Sequence, residues 1–398
     1  MRMVQSFLSF GKGYLAMEKF CMLMNMDLPS SRTFNIYKKK LCKYLVRSTV
    51  KSLNDVRSQV KSAYRSNSAI TDIDVTFDGT WLTRVHSSEI GVGYVIDLLT
   101  GFVMDFEIMS KRCIECEHAK SGLGENSAEF HVWYEGHISA CAINHVGSSC
   151  AMKQEAALKL WQISEDSGFR YTTLLSDGDA KTYQYLNTKE VYGPEIKIKK
   201  EECINHVSKR LGTSLRKAVK EWRATGVSLG GKSRGSLKEE TIKKLSRYYQ
   251  NAIRSNKGDV EAMKTAIYAT LFHSISTDQK PQHFKCPTGN DSWCFFQAAL
   301  ARGEVPGPHV KHVKTPLKET HLAKIMPIYQ RLASNELLQR CIRCVTQNSN
   351  ESLHSIIWGK CSKEMSATLR RVTIAVCEFN FGTKIIRKFA KGKWACFK

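Results

Sequence analysis

A mixed α/β fold is predicted by three features of the chain. A period-two alternation of apolar and polar residues runs from Ile73 to Asp78, and two further strand-like runs follow at 91–99 and 101–109. A helical stripe around Gln154 to Glu165 then precedes another apolar run at 171–176. From about 205 to 345 the periodicity is helical almost throughout.

Taken in order, residues 31–65 place Phe34, Tyr37, Leu41 and Tyr44, then Leu53, Val56, Val60 and Tyr64, at steps of three and four. The stripe lapses between the sets, so this basic region reads as one helix or two, after a shorter helix around Tyr14 to Met24. The three strands from Ile73 form an antiparallel meander with a tight turn at Leu99-Thr100-Gly101. Leu158 and Trp161 face inward from the helix that follows. The run 171–176 ends at Asp177, a short helix spans Ala180 to Leu186, "EIKIKK" (195–200) alternates as an edge-like strand, and a helix opens near Ile204. The order β-β-β-α-β-α-β-α, a meander continued through crossover helices, is the layout of an RNase H-like mixed sheet. It divides the chain into a basic helical N-terminal region (1–70), a first core part (71–204) with a small zinc-binding insertion (111–150), a large all-helical insertion (205–345), and a last core part (346–398). Inside the helical insertion, Ser236-x-x-Glu239 reads as a capping box before Ile242, Leu245, Tyr249 and Ile253.

The composition narrows the function. Lys and Arg exceed Asp and Glu by 60 to 37, a formal charge of +23, which points to a polyanionic partner such as nucleic acid. The excess is uneven: residues 1–70 and 203–256 each carry 13 Lys and Arg against 3 Asp and Glu. No apolar run is long enough for a membrane span, and Gly11, Lys12 and Glu18 interrupt the stretch that a signal peptide requires, so an intracellular protein is expected. Fourteen cysteines in that setting argue for metal ligands or buried thiols over disulfides. The sequence contains no P-loop, Rossmann glycine fingerprint, GxSxG elbow or HExxH.

Two strand-like runs end in Asp-Gly, at Asp78 and at Asp177. Asp-Gly between alternating residues is a hairpin signal. The first and fourth strands of an RNase H-like sheet are neighbours, however, and paired carboxylates there suit two Mg²⁺ ions acting on a phosphodiester. Glu351, near the start of a helix with Leu353, Ile356 and Ile357 inward, is the candidate third ligand; its alternative role is to complement the helix dipole. Asp179 is the rival to Asp177.

The ordered set "DGTW", "NHVGSSCAM", "LLSDGDAKTY", "CINH" and "NSNESLHSIIW" resembles the Mutator-like (MULE) DDE transposases of eukaryotes, over most of residues 70–380. The resemblance implies Asp78, Asp177 and Glu351 as the catalytic triad, Mg²⁺ or Mn²⁺ as cofactor, and the helical stretch before Glu351 as the insertion of that family. It implies a nuclear enzyme that cuts transposon terminal repeats and joins them to target DNA, working as a homo-oligomer. The alternative is a transposase-derived, non-catalytic DNA-binding protein or an incomplete inactive copy, because residues 1–70 lack the paired Cys/His of a zinc-binding DNA module. A third reading is a zinc-stabilised interaction protein whose charge serves only solubility.

Cys113-x2-Cys116, then His137-x3-Cys141, matches a tetrahedral structural zinc, against the alternative of unrelated buried thiols. Cys203-x2-His206 either joins zinc with His283, Cys286 or Cys294, or simply packs, whereas Cys341 and Cys344 read as structural thiols. Lys209, Arg210, Arg216, Lys217 and Lys220 on one helix, with Lys232 and Arg234 in a Gly-rich loop, are the candidate phosphate contacts. Trp293, Phe295 and Phe296 read as core or as a base-stacking cluster.

Overall fold

The computed structural model describes residues 2–10, 12–81, 88–178, 180–360 and 369–382. The basic stripe near the N-terminus forms a single long helix. After α1 (Arg2–Ser9) and α2 (Tyr14–Leu23), α3 runs from Ser31 to Ala63, and the Ser30 hydroxyl caps it by accepting from the Thr33 N–H at 3.2 Å. The polar gap in the stripe does not break the helix, because Phe34 and Leu41 pack with α1 and α2 while Val56 and Val60 enter a different core.

β1 (Thr71–Trp81) outruns the expected strand and pairs antiparallel with β2 (Ile90–Asp97), which pairs antiparallel with β3 (Val103–Ser110). Asp78 lies opposite Tyr94 and Gly79 opposite Gly93, so the ladder continues through this Asp-Gly and it is not a hairpin turn. The turn falls where expected, after Asp97: its carboxylate accepts from the Thr100 N–H at 2.7 Å and hydroxyl at 2.6 Å, and Gly101 takes φ 74°. There follow α4 (Ile114–Leu123), α5 (Ala128–His137), α6 (Ser149–Gln162), β4 (Phe169–Ser176), α7 (Ala180–Thr188) and β5 (Lys199–Glu202). The sheet order β3-β2-β1-β4-β5 sets the first strand beside the fourth and leaves β5 at an edge. β5 is shorter and later than the "EIKIKK" alternation, in keeping with an edge position.

Helices α8 (Ile204–Ala224), α9 (Glu239–Arg254), α10 (Val260–Ile275), α11 (Phe295–Ala301), α12 (His309–His312), α13 (Glu319–Leu332) and α14 (Asn335–Arg340) come next. The chain then reaches α15 (Asn348–Lys360) and α16 (Leu369–Phe381). The capping box does not form. Lys238 occupies the N-cap of α9, Ser236 bonds Ser233, and Glu239 is held by Arg216 through two bonds of 2.6 and 2.9 Å, a pairing that competes with the box.

The chain divides into two compact units: Met1–Leu174 with Asp179–Lys199 and Asn348–Lys398, and Leu175–Gly178 with Lys200–Gln347. In the first, the sheet has a core on each face. Ile73, Val75 and Phe77 pack with Met152, Ala156, Leu160 and Trp161 of α6, with the Phe77 and Trp161 rings edge to face at 5.8 Å. Val92, Tyr94 and Ile96 of β2 pack on the other face with Leu353 and Ile357 of α15 and Val372, Ala375 and Val376 of α16. In the second unit, Leu211, Leu215, Ile242, Leu245, Tyr249, Met263, Ile267, Ile325 and Tyr329 form one helical core. Among the described residues no helix is long and apolar enough to cross a membrane.

Gly91 of β2 makes the close packing of the first unit possible, because a Cβ there would lie 1.9 Å from the Trp81 ring. Gly91→Ala is expected to destabilise by about 1–3 kcal/mol through overpacking. Gly136→Ala, in helix α5 with nothing within 4 Å, is expected to stabilise by about 0.5–1 kcal/mol. Urea unfolding of the two variants beside wild type checks both signs.

Candidate active site

Thr76, Asp78 and Thr80 share one face of β1, since alternate strand residues point the same way. Helix α15 lies against that face and is tied to it at both ends. The buried Asn350 donates its Nδ2–H to Thr76 Oγ1 at 3.0 Å, and its backbone carbonyl accepts from the Tyr94 hydroxyl at 3.2 Å. Two turns on, Trp358 Nε1–H donates to Thr80 Oγ1 at 2.5 Å. Between these bonds His354 faces Asp78, with Nε2 3.7 Å from Oδ2. The Tyr94 and His354 rings meet edge to face at 5.5 Å.

Asp78 accepts from its neighbour's Gly79 N–H at 2.8 Å and from Lys153 Nζ of α6 at 3.0 Å. Burial lowers the His354 pKa, against the opposing charges of Asp78 and Glu351, so the ring is neutral at neutral pH. Its Nε2 is buried without a hydrogen-bond partner among the described residues. Burial, with the Asp78 charge, pushes the Tyr94 phenol well above its ordinary range. Glu351 lies in the first turn of α15 and is exposed. Lys153 and His354 were not singled out from the sequence. Glu351-x-x-His354 puts both residues on one helical side, a usable signal, whereas Lys153 is an unmarked lysine in a helix.

Asp177 belongs to the second unit, directly after β4, and its side chain is exposed. There Arg210 of α8 donates to the Asp177 carbonyl at 3.3 Å and to Glu202 Oε2 at 2.5 Å, while Lys200 reaches Glu202 at 3.2 Å. Gly178 closes this arrangement: φ is 95°, and a Cβ would stand 2.0 Å from Arg210 Nη2. Arg210 thus holds the backbone at Asp177. Asp179 lies outside the described residues.

Cys113, Cys116, His137 and Cys141 come together with all four ligand atoms within 4.8 Å. Cys113 Sγ is 3.3 Å from His137 Nε2, and Cys116 Sγ is 3.5 Å from Cys141 Sγ. These approach the edges, about 3.3–3.8 Å, of a tetrahedron built on zinc bond lengths. Burial, and then contact with Cys141 and Cys113, pushes the Cys116 thiol up to about 12. The quartet could bind a metal such as zinc. A second group, His273, His283, Cys286 and Cys294, also lies within 4.8 Å. Cys203 and His206 are in neither group. Cys203 is the buried N-cap of α8, with its N–H on the Ser176 carbonyl, and His273 takes the fourth place that sequence spacing offered them. Cys341 and Cys344 pack in the helical core, and burial pushes Cys341 up to about 12.

Of the basic candidates, Lys209, Arg216, Lys217, Lys220, Lys232 and Arg234 are exposed. Arg216 is bound to Glu239, Lys217 sits 3.4 Å from Glu221, and Arg234 donates to the Val310 carbonyl. Lys209 and Arg216 line a shallow groove between α8 and α9 with Lys243 and Arg247, two cations that the sequence reading passed over. Their i,i+4 spacing on α9 was the available signal. Trp293 is exposed, and Phe296 stacks on His283 with centroids 4.5 Å apart.

A family model described as Mutator-like transposase matches residues 1–294. The chain belongs to the Mutator-like transposase family, and with it to a class of DNA-binding, DNA-cutting enzymes. The match starts at residue 1, well before the motifs that suggested it, takes in Asp78, Asp177 and both Cys/His groups, and ends before Glu351. No curated protein and no solved structure matches the chain.

The ties between α15 and β1 predict a graded loss of stability. Trp358→Phe removes one hydrogen bond while keeping most of the ring, and Asn350→Ala removes the Thr76 bond. Each is expected to cost about 0.5–1.5 kcal/mol in chemical denaturation.

Proposed function

We propose that this chain is a metal-dependent DNA strand transferase whose catalytic residues are Asp78, Asp177 and Glu351. The observation that carries this reading is the tying of the Glu351 helix across the Asp78 face of β1, in a chain of transposase family. Carboxylates are the oxygen ligands that Mg²⁺ or Mn²⁺ ions take, and the orphaned Nε2 of His354 is a buried polar atom beside Asp78. When bound, two such ions activate an attacking hydroxyl and stabilise the leaving oxygen of a phosphodiester.

The chain's own groups orient that chemistry. Asn350 fixes the helix turn that carries Glu351, Lys153 holds one oxygen of Asp78, neutral His354 faces the other, and Arg210 fixes the Asp177 backbone. Water first cleaves the phosphodiester at the element's end, and the freed 3′-hydroxyl then attacks target DNA. Joining two ends calls for a homo-oligomer on terminal-repeat DNA, and the substrate implies the nucleus. Residues 71–204 and 346–398 are the RNase H-like core in this reading, a description favoured by the adjacency of the first and fourth strands. Cys113, Cys116, His137 and Cys141 would hold a zinc ion with four protein ligands and no open position, a role that ties the insertion together.

The test is cleavage and joining on supercoiled DNA carrying the element's ends, with Mg²⁺ or Mn²⁺ and with EDTA. Metal-dependent products from wild type, absent from Asp78→Ala, Asp177→Ala and Glu351→Ala, are the expected result. Salt-sensitive DNA binding without products under any condition would instead make the chain a transposase-derived DNA-binding protein. Phosphate contacts in the α8–α9 groove carry a separate prediction. Lys243→Ala and Arg247→Ala should each lower the slope of log affinity against log salt by about 1, equally for all DNA sequences.

A further inference from the structure

We propose that His273, His283, Cys286 and Cys294 form a second structural zinc site, which orders the irregular segment between α10 and α11. The ligands come from one short span, His273-x9-His283-x2-Cys286-x7-Cys294. Cys294 Sγ lies 3.3 Å from His283 Nδ1, and Cys286 Sγ lies 3.8 Å from Nδ1 of both His283 and His273. Edges of about 3.3–3.8 Å are those of a tetrahedron with zinc–sulfur and zinc–nitrogen bonds.

The hydrogen bonds around His283 supply a second, independent argument. Asp278 Oδ1, an acceptor only, sits 2.6 Å from His309 Nδ1, which therefore carries a proton. His309 Nε2 lies 2.8 Å from the Ser276 hydroxyl and 2.9 Å from His283 Nε2. Ser276 Oγ accepts from the Gln282 N–H at 2.8 Å and meets His283 Nε2 at 2.9 Å. Ser276 and His309 thus both engage the Nε2 edge of His283, and Nδ1 is the ring nitrogen turned towards Cys286 and Cys294. An imidazole whose second nitrogen is held by outer hydrogen bonds is the usual dress of a metal ligand.

The segment needs such a tie. Residues 276–294 contain no helix or strand, and the apolar cluster there is only Ala269, Cys286 and Cys294, with Phe296 against it. That burial is too small to offset the ordering of so long a stretch, whereas a tetrahedral ion couples its binding energy directly to folding.

Zinc content and zinc K-edge absorption of the full chain, dialysed against Mg²⁺ buffer, test the proposal. Two zinc ions per chain with a mean of between two and three sulfurs each are expected, since one group offers three thiolates and the other two. The Cys286→Ser/Cys294→Ser variant should lose half the zinc and keep an ion with three sulfurs. His309→Gln, which touches no metal, should weaken the second ion about 10- to 100-fold in a chelator competition. One zinc per chain with three sulfurs would overturn the proposal and leave Cys294 and His283 as a metal-free pair. A second ion on oxygen ligands, with a mean sulfur count below two, would overturn it as well. Both wild-type readings stand whether or not the variants fold.

Discussion

A match between two periodicities governs the Asp78 side of this protein. Alternate residues of a strand are about 6.6–6.8 Å apart, and residues four apart in a helix are about 6 Å apart along the axis. A helix laid along a strand can therefore meet it at successive rungs with little slippage. β1 offers Thr76, Asp78 and Thr80, and α15 answers with Asn350, His354 and Trp358. The outer rungs are hydrogen bonds between neutral side chains, and the middle one sets an imidazole against a carboxylate. Their order fixes both the direction and the register of α15, and with them the position of Glu351, one residue beyond the buried amide.

The opposite face of the same strand is arranged around bulk. Phe77 and Trp81 point away from α15, and the glycines of β2 make room for them: Gly91 lies under the Trp81 ring, and a Cβ on Gly93 would stand 2.8 Å from Ala156 of α6. One strand thus carries a polar register on one side and a close-packed apolar contact on the other. A slip of one residue would exchange the two faces, burying Asp78 among α6 side chains and exposing Phe77 to the polar rungs. The apolar face therefore enforces the register that the polar face uses.

How legible this was depends on the range over which each signal acts. Strand and helix periods are local, so the meander, α6, β4 and the helical stretch could be read from the chain alone, and so could a quartet of three cysteines and a histidine with close pairs at both ends. The Asp-Gly at 78–79 carries a turn signal, but turn chemistry is a local preference, and here the ladder with β2 overrides it. The capping box failed for a related reason: Glu239 meets a guanidinium 23 residues upstream, a partner that spacing within one helix cannot reveal. Lys153 was illegible for the same cause, being brought to Asp78 by packing across 75 positions. His273 was read past because it closes an apolar helix whose stripe explains it without a metal.

The cysteines show what separates a candidate metal ligand from a core thiol when both are buried. Cys341 and Cys344 stand as close in sequence as Cys113 and Cys116, yet they lie among Tyr249, Ile253 and Leu338, where burial favours the protonated thiol. Cys294, equally buried, lies against Cys286 and 3.3 Å from a ring nitrogen of His283, and the contact with Cys286 above all holds its thiol far below the ordinary value. A thiolate needs donors or cations around it, and an apolar helix interface provides neither. The deciding feature is thus the histidine that folds back onto the pair, His137 for one quartet and His283 with His273 for the other. A Cys-x-x-Cys without such a partner is held by packing alone.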